Sequence, residues 1–297
     1  MKLQDVSPCC LTVAGSDSGG NAGVQADLRA FHAYGLHGCT VFAALTAQNP
    51  FGVTAIHSVP ADFVAAQLDA VLGVYDIRAL KTGMLADAAV IEVVADRLAK
   101  HPEIAKVVDP VMVATSGARL VSDAAMEVIK AKLLPIATLI TPNLPEAEAL
   151  CGNAIEPNAQ RAGSASRAGE LAKRLSDRYG CAVLVKGGHS ANASAVDVLA
   201  RNGADAVQEF AMPWIDDPVS THGTGCTLAA ALAAELARGA DVAKAVEGAK
   251  RHVHQAIAGS YYVGKDCGVL GFVGLQRRSH SSGVRQQGQL FHNRGVF

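Results

Sequence analysis

Ser220-Thr221-His222-Gly223-Thr224-Gly225-Cys226-Thr227 sets a thiol at the end of a glycine-rich turn, immediately before Leu228 to Arg238, an alanine-rich run of helical composition. Glycines let the backbone turn tightly, and a helix that starts at once aims several unpaired amide N–H groups at one point. Such a point holds anions. A cysteine in the first turn feels the positive end of the helix dipole, which lowers a thiol pKa, so a thiolate is expected near neutral pH beside a phosphate-sized cradle. Read alone, the same stretch also fits a glycine-rich helix cap with an inert cysteine.

Other segments carry compatible chemistry. Gly15-Ser16-Asp17-Ser18-Gly19-Gly20-Asn21-Ala22-Gly23 is a loop with four glycines that lets backbone approach a ligand, and Asp27 follows in an early helical turn. Thr141-Pro142-Asn143-Leu144-Pro145-Glu146 places two oxygen donors, Asn143 and Glu146, at a strand end, where they suit Mg²⁺ and its waters or, equally, the start of a helix. Lys186-Gly187-Gly188 puts a cation beside flexible backbone. Two familiar phosphate motifs fail. Gly259 to Lys265 has the glycine and lysine spacing of a P-loop, but Asp266 stands where a Mg²⁺-binding hydroxyl belongs and the segment follows a helix. No G-x-G-x-x-G follows the first strand, which removes the main support for a dinucleotide.

These residues need a frame to bring them together, and the chain supplies one. Apolar runs predict strands at Leu11 to Ala14, Thr40 to Leu45, Ile77 to Lys81, Lys106 to Asp109, Thr138 to Thr141, Ala182 to Lys186, Val196 to Arg201 and Val207 to Met212. Helical period predicts helices at Gly23 to Tyr34, Ala61 to Leu72, Asp87 to Lys100, Ser122 to Leu134, Pro145 to Leu150, Ser166 to Tyr179, Thr227 to Arg238 and Val242 to Ala258. The alternation is that of an α/β, doubly wound, mostly parallel central sheet with helices on both faces, and the last three strands suggest an antiparallel edge. In such a sheet the carboxyl ends of the strands face the ligand crevice, and there the polar turns Gly15-Ser16-Asp17, Gln48-Asn49, Thr82-Gly83-Met84 and Asp109-Pro110 fall.

Composition narrows the partner. The 297 residues are 50% apolar and 18% charged with a formal net charge of −1, which gives no pull toward nucleic acid or an anionic membrane. A small molecule is the expected ligand. Seven cysteines without a C-x-x-C pair, and an N-terminus without a basic-then-apolar signal, point to a reduced, cytoplasmic protein. No apolar run approaches the ~18 residues that cross a bilayer. Residues 1–272 are read as one domain, and the acid-free, arginine-bearing stretch 273–297 as a disordered tail.

In order along the chain stand Ala14-Gly15-Ser16-Asp17, Gln25-Ala26-Asp27-Leu28, Leu45-Thr46-Ala47-Gln48-Asn49, Lys81-Thr82-Gly83-Met84-Leu85, Val108-Asp109-Pro110-Val111-Met112, Thr141 to Glu148, Val185-Lys186-Gly187-Gly188-His189 and Thr221 to Thr227. Together they closely resemble the hydroxymethylpyrimidine/phosphomethylpyrimidine kinases of thiamine biosynthesis, in the ribokinase superfamily, from about Leu11 to Phe272. The resemblance implies a ribokinase-like fold, ATP, Mg²⁺ and a homodimer. It implies phosphorylation of 4-amino-5-hydroxymethyl-2-methylpyrimidine and then of its monophosphate. By position, Cys226 resembles the residue that takes the hydroxyl proton, with the amides of Gly223, Thr224 and Gly225 on the transferring phosphoryl group. Gln48 resembles the amide that recognises the pyrimidine, and Ala22, Met84 and Val111 the walls around the ring. Asn143 and Glu146 match the family's Mg²⁺ and phosphate positions, Asp109 its nearby acid, and Lys186 and Thr221 its nucleotide contacts. Asp27 fits either a substrate contact or an acid of the helix start.

Three departures qualify this match. The first glycine loop reads Asp17-Ser18-Gly19-Gly20-Asn21-Ala22-Gly23 where the family usually has Asp-Pro-Ser-Gly-Gly-Ala-Gly. Thr115 stands where a lysine usually precedes Ser-Gly, so a cationic phosphate contact is missing and the second phosphorylation is expected to suffer more than the first. The stretch beyond Phe272 is extra. Two other readings stay open: a pyridoxal kinase, which shares the Gly-Thr-Gly-Cys motif, and a catalytically silent binding protein of the same fold.

Overall fold

Cys9 to Gly15 are buried at every position, the pattern of a strand covered on both faces. The structure, a computed structural model, describes residues 8–112, 121–152, 165–187 and 194–272. Its strands are β1 (Cys9–Gly15), β2 (His37–Asn49), β3 (Gly52–Ser58), β4 (Ile77–Thr82), β5 (Ala105–Val108), β6 (Leu139–Ile140), β7 (Ala182–Val185), β8 (Ser194–Ala200), β9 (Gln208–Pro213), β10 (Tyr261–Gly264) and β11 (Cys267–Val269). Helices are α1 (Gly23–Ala33), α2 (Ala61–Leu72), α3 (Ala88–Leu98), α4 (Asp123–Val128), α5 (Leu144–Leu150), α6 (Ala165–Tyr179), α7 (Thr224–Ala237) and α8 (Val242–Ala258).

Nine strands form one sheet in the order β3-β2-β1-β4-β5-β6-β7-β8-β9. From β2 to β7 neighbours are parallel, while β8 and β9 continue antiparallel, as the last three predicted strands suggested. Alternate side chains of β1 enter two separate cores. Cys9, Leu11 and Val13 join the apolar layer formed with α2 to α6, and Cys10 joins the layer formed with α1, α7 and α8. Helix α7 is buried from Thr227 to Ala234, and its alanines let it lie close against β1, β4 and β5. Because β2 lies on one side of β1 and β4 on the other, the chain reverses direction across the sheet at β1, and a crevice opens there at the strands' carboxyl ends.

Two of the departures from the sequence-based expectation concern strands. Strand β2 does not stop at Leu45: it runs through Gln48 to Asn49, and after a Pro50-Phe51 turn β3 pairs back antiparallel, Gln48 opposite Val53. Most of β3 is exposed, so it lacks the apolar alternation that marks a half-buried strand. The hairpin of β10 and β11 was also not expected. It absorbs the rejected P-loop match, since Gly259 caps α8 and the segment leads into strands where a P-loop leads into a helix. The predicted tail 273–297 and Thr115 lie outside the described residues.

Candidate active site

Asp17 organises the loop that leaves β1. Its carboxylate, 2% exposed, accepts from the amides of Gly19 (2.8 Å), Asn21 (2.9 Å) and Ala22 (2.8 Å), and its own amide donates to Gln25 Oε1 at 2.9 Å. The loop thereby curls around one carboxylate and delivers Ala22 to the cap position of α1. Against it presses the start of α7. Gly223, the N-cap, has φ 84°, and a Cβ there would sit 1.9 Å from Asn21 O. Only glycine meets both conditions. The first intrahelical bond of α7 is Thr227 N–H to Gly223 O at 2.9 Å, so the amides of Gly225 and Cys226 precede it and face the crevice end of the helix.

Cys226, in the first turn of α7, is partly exposed. Burial of its thiol is the largest influence and pushes the pKa up; the Lys81 ammonium opposes it, the Asp27 and Asp109 carboxylates add to it, and the Gly23 amide pulls it back. The expectation of a thiolate near neutral pH is therefore corrected. Burial and two carboxylates outweigh one ammonium and the Gly23 amide.

Below the thiol lie two ion pairs joined by strand ends. Lys81, from β4, donates to Asp27 Oδ1 at 3.1 Å and Oδ2 at 2.9 Å, and Thr12 Oγ1 donates to Oδ2 at 2.6 Å. Both charged side chains are fully buried. Burial alone would depress Lys81, yet Asp27 holds it above its ordinary value, and the ammonium stays charged. Asp27 is thus neither at the first turn of α1 nor open to solvent. Lys186, just after β7, donates to Asp109 Oδ1 at 2.9 Å, where Thr141 Oγ1 also donates at 3.3 Å. A Cβ on Gly225 would lie 3.8 Å from Lys186 Nζ, so this pair sits beneath the first turn of α7.

Asn143 and Glu146 form a reciprocal capping box on α5: Glu146 N–H donates to Asn143 Oδ1 at 2.9 Å and Asn143 N–H to Glu146 Oε2 at 2.8 Å. The helix-start reading of this motif is thus met. It does not exhaust Glu146, because burial pushes its carboxyl up to about 7, Lys186 opposing and Asp109 reinforcing. Two carboxylates therefore share one ammonium. Among the described residues no three His, Cys, Asp or Glu side chains gather as a metal cage.

The remaining predicted residues surround the same end of the sheet. Gln48 is half-buried on β2; its N–H donates to Ser18 Oγ at 3.4 Å and its Oε1 accepts from Thr46 Oγ1 at 3.2 Å, so strand and glycine loop are tied together. Met84 O accepts from Gly15 N–H at 3.0 Å. Val111 N–H donates to Asp109 O at 2.9 Å, and both line a cavity with Gly83 and Leu85. Thr221 O accepts from Thr224 N–H at 3.4 Å, though its side chain is exposed. Gly188 and His189 lie outside the described residues. Sequence reasoning missed Lys81 and Thr12. A lysine ending an otherwise apolar strand is the signal that could have found the first.

Such a constellation has known relatives. The phosphomethylpyrimidine kinase family profile matches residues 17–271. A hydroxymethylpyrimidine/phosphomethylpyrimidine kinase of Rhizobium meliloti is 44% identical over 248 residues, 84% of this chain and 90% of that one. The thiamine biosynthesis bifunctional protein of Geobacter sulfurreducens is 44% identical over 264 residues, 89% of this chain, and the chain spans only 52% of that protein. Among solved structures, the ADP complex of Bacillus subtilis pyridoxal kinase is similar with a TM-score of 0.80 at 32% identity, covering 90% of this chain and 97% of that one.

Proposed function

The chain belongs to the phosphomethylpyrimidine kinase family, and on that premise we propose that it phosphorylates 4-amino-5-hydroxymethyl-2-methylpyrimidine, then its monophosphate to the diphosphate, with ATP, in thiamine biosynthesis. The observation that carries this reading is the seating of α7's first turn on the Asp17 loop, which sets free amides and the Cys226 thiol over the crevice at β1 and β4. Phosphoryl transfer asks for positioning and charge stabilisation more than for covalent chemistry.

In this reading Gln48 donates and accepts on the pyrimidine edge, and Ala22, Met84 and Val111 enclose the ring. The hydroxymethyl oxygen attacks the γ-phosphorus as the bond to ADP breaks and its proton passes to Cys226, while the amides of Gly223 and Gly225 hold the transferring group; the Thr224 amide, expected to join them, is turned to Thr221 O. Lys186 and Thr221 contact the nucleotide with Asn143. Asp109 and Glu146 suit Mg²⁺: they are hard oxygen donors sharing one ammonium, and Mg²⁺ is usually held by one or two carboxylates plus substrate phosphates. When bound, Mg²⁺ supplies charge neutralisation on the phosphates.

A coupled ATPase assay with each alcohol tests the substrate. Turnover of the pyrimidine alcohol above pyridoxal is expected; preference for pyridoxal would favour the second reading, which the likeness to the Bacillus subtilis enzyme supports. Binding of the pyrimidine without any turnover would leave a silent binding protein. Following products over time, the monophosphate should build up and convert only slowly to the diphosphate, because Thr115 offers no cation to the second acceptor. A second step as fast as the first would refute the role given to that position.

We further read the chain as one domain over 1–272, cytoplasmic and homodimeric. All seven cysteines are free thiols, and no helix among the described residues is long and apolar enough to cross a membrane. Leu45, Phe51 and Ile56 on the β2–β3 hairpin are exposed, which supports burial against a second copy. Light scattering should give twice the chain mass, and a monomer at micromolar concentration would sink the dimer.

A further inference from the structure

Among the described residues, one more buried ion pair besides Lys81–Asp27 and Lys186–Asp109 reaches the site, and the mechanism above does not use it. Lys250 Nζ, from α8, donates to Asp197 Oδ2, on β8, at 2.7 Å, and both side chains are only 9% exposed. The other oxygen of Asp197 is committed as well. Its Oδ1 accepts the Gly187 amide at 3.0 Å. Gly187 follows Lys186 directly, at the point where the chain leaves β7, and its backbone is pressed so close to β8 that a Cβ would stand 1.8 Å from Val196 O.

Lys186 is held on its other side too. Its amide donates to Pro142 O at 2.9 Å, and its ammonium reaches Asp109 Oδ1 at 2.9 Å. A lysine side chain has many rotamers, and its head is aimed only as well as its backbone is fixed. The chain of contacts therefore runs from α8 through the Asp197 carboxylate and the Gly187 amide to Lys186. We propose that Asp197 and Lys250 are positioning residues for nucleotide binding, acting as a clamp that fixes the Lys186–Gly187 backbone and so aims the Lys186 ammonium. Physically, the ammonium of Lys250 orients the Asp197 carboxylate, and a carboxylate makes a stronger bond to the amide than a neutral acceptor.

This inference rests on the reading of Lys186 as a nucleotide contact, so the test separates the two. Calorimetry measures the dissociation constants of ADP and of the pyrimidine alcohol, without turnover. Asp197→Ala/Lys250→Met removes the clamp without orphaning a charge, and it is expected to weaken ADP about tenfold, the scale on which small misplacements act, while the alcohol binds within about twofold of wild type. Asp197→Asn/Lys250→Gln keeps both hydrogen bonds in neutral form and should restore ADP binding to within about threefold. A folded Ala/Met variant with unchanged ADP affinity, or with both ligands weakened together, overturns the clamp. Should that variant not fold, Asp197→Asn/Lys250→Met takes its place, since it also orphans no charge and keeps an acceptor for the Gly187 amide: about threefold weaker ADP binding is expected from the loosened acceptor, and no change overturns the proposal. Lys186→Ala is the reference. If it leaves ADP binding unchanged, the nucleotide role of Lys186 fails; if it weakens ADP and the clamp variants do not, only the clamp fails.

Discussion

Cys226→Ser is expected to lower kcat by ~10² or more while the KM for the pyrimidine alcohol stays within a few-fold. Serine keeps the size of the side chain and the first turn of α7, so the amides that face the crevice are unmoved. What changes is the ease of deprotonation, because a hydroxyl gives up its proton far less readily than a thiol. The raised thiol pKa sharpens the expectation: since burial and the nearby carboxylates keep Cys226 protonated at neutral pH, only a small thiolate fraction is available. That fraction grows with pH, so kcat/KM of the unmodified enzyme should climb from neutral into the alkaline range. Cys226→Ser should lose the climb along with the rate. Steady-state kinetics across pH 6 to 10 reads both, and near wild-type rates with an unchanged profile would remove Cys226 as the base.

The sequence announces what is local and hides what is distant. Strand β1 and helices α1, α7 and α8 are legible because apolar period and glycine punctuation are encoded in neighbouring residues. The junction of Gly223 with the Asp17 loop is half legible: the glycines announce tight turns, but not that Gly223 must yield room for Asn21 O. Strand β3 is illegible because an exposed edge strand has no buried face to pattern. The ion pairs are hidden for another reason. Lys81 and Asp27 are 54 residues apart, Lys186 and Asp109 77, Lys250 and Asp197 53, and nothing near either partner names the other. Each meets its partner only because the sheet sets β4 beside β1, brings the ends of β5 and β7 to either side of β6, or has a helix laid over a strand. The sign of the thiol shift follows the same logic. Position in the first turn argues for a lowered pKa, and the surroundings supplied by distant segments reverse it.

Lys81→Met carries the largest stability effect. Removing the ammonium leaves Asp27 fully buried with Thr12 Oγ1 as its remaining side-chain donor, and breaking a buried pair on one side typically costs ~3–5 kcal/mol. The loss should depend on pH in a definite direction. Burial already pushes the Asp27 carboxyl up, and Lys81 is the strongest influence pulling it down. Without Lys81 the folded-state pKa rises further above the unfolded one, so the folded chain keeps a proton that the unfolded chain releases. Stability relative to wild type is then best preserved below the already raised folded-state pKa of the wild type, where both folded chains hold the proton, and declines as pH rises from there toward the higher folded-state pKa of the variant. Urea titrations at pH 4.5, 6 and 7.5 should show a gap to wild type that widens with pH. Adding Asp27→Asn removes the charge and the titration together, and should recover much of the stability and flatten the pH dependence. It should recover the rate only in part, because the missing Lys81 ammonium, which lowers the Cys226 pKa, outweighs the missing Asp27 carboxylate, which raises it. A stable but slow double variant would place Lys81 in both folding and chemistry; full activity in that variant would confine it to folding.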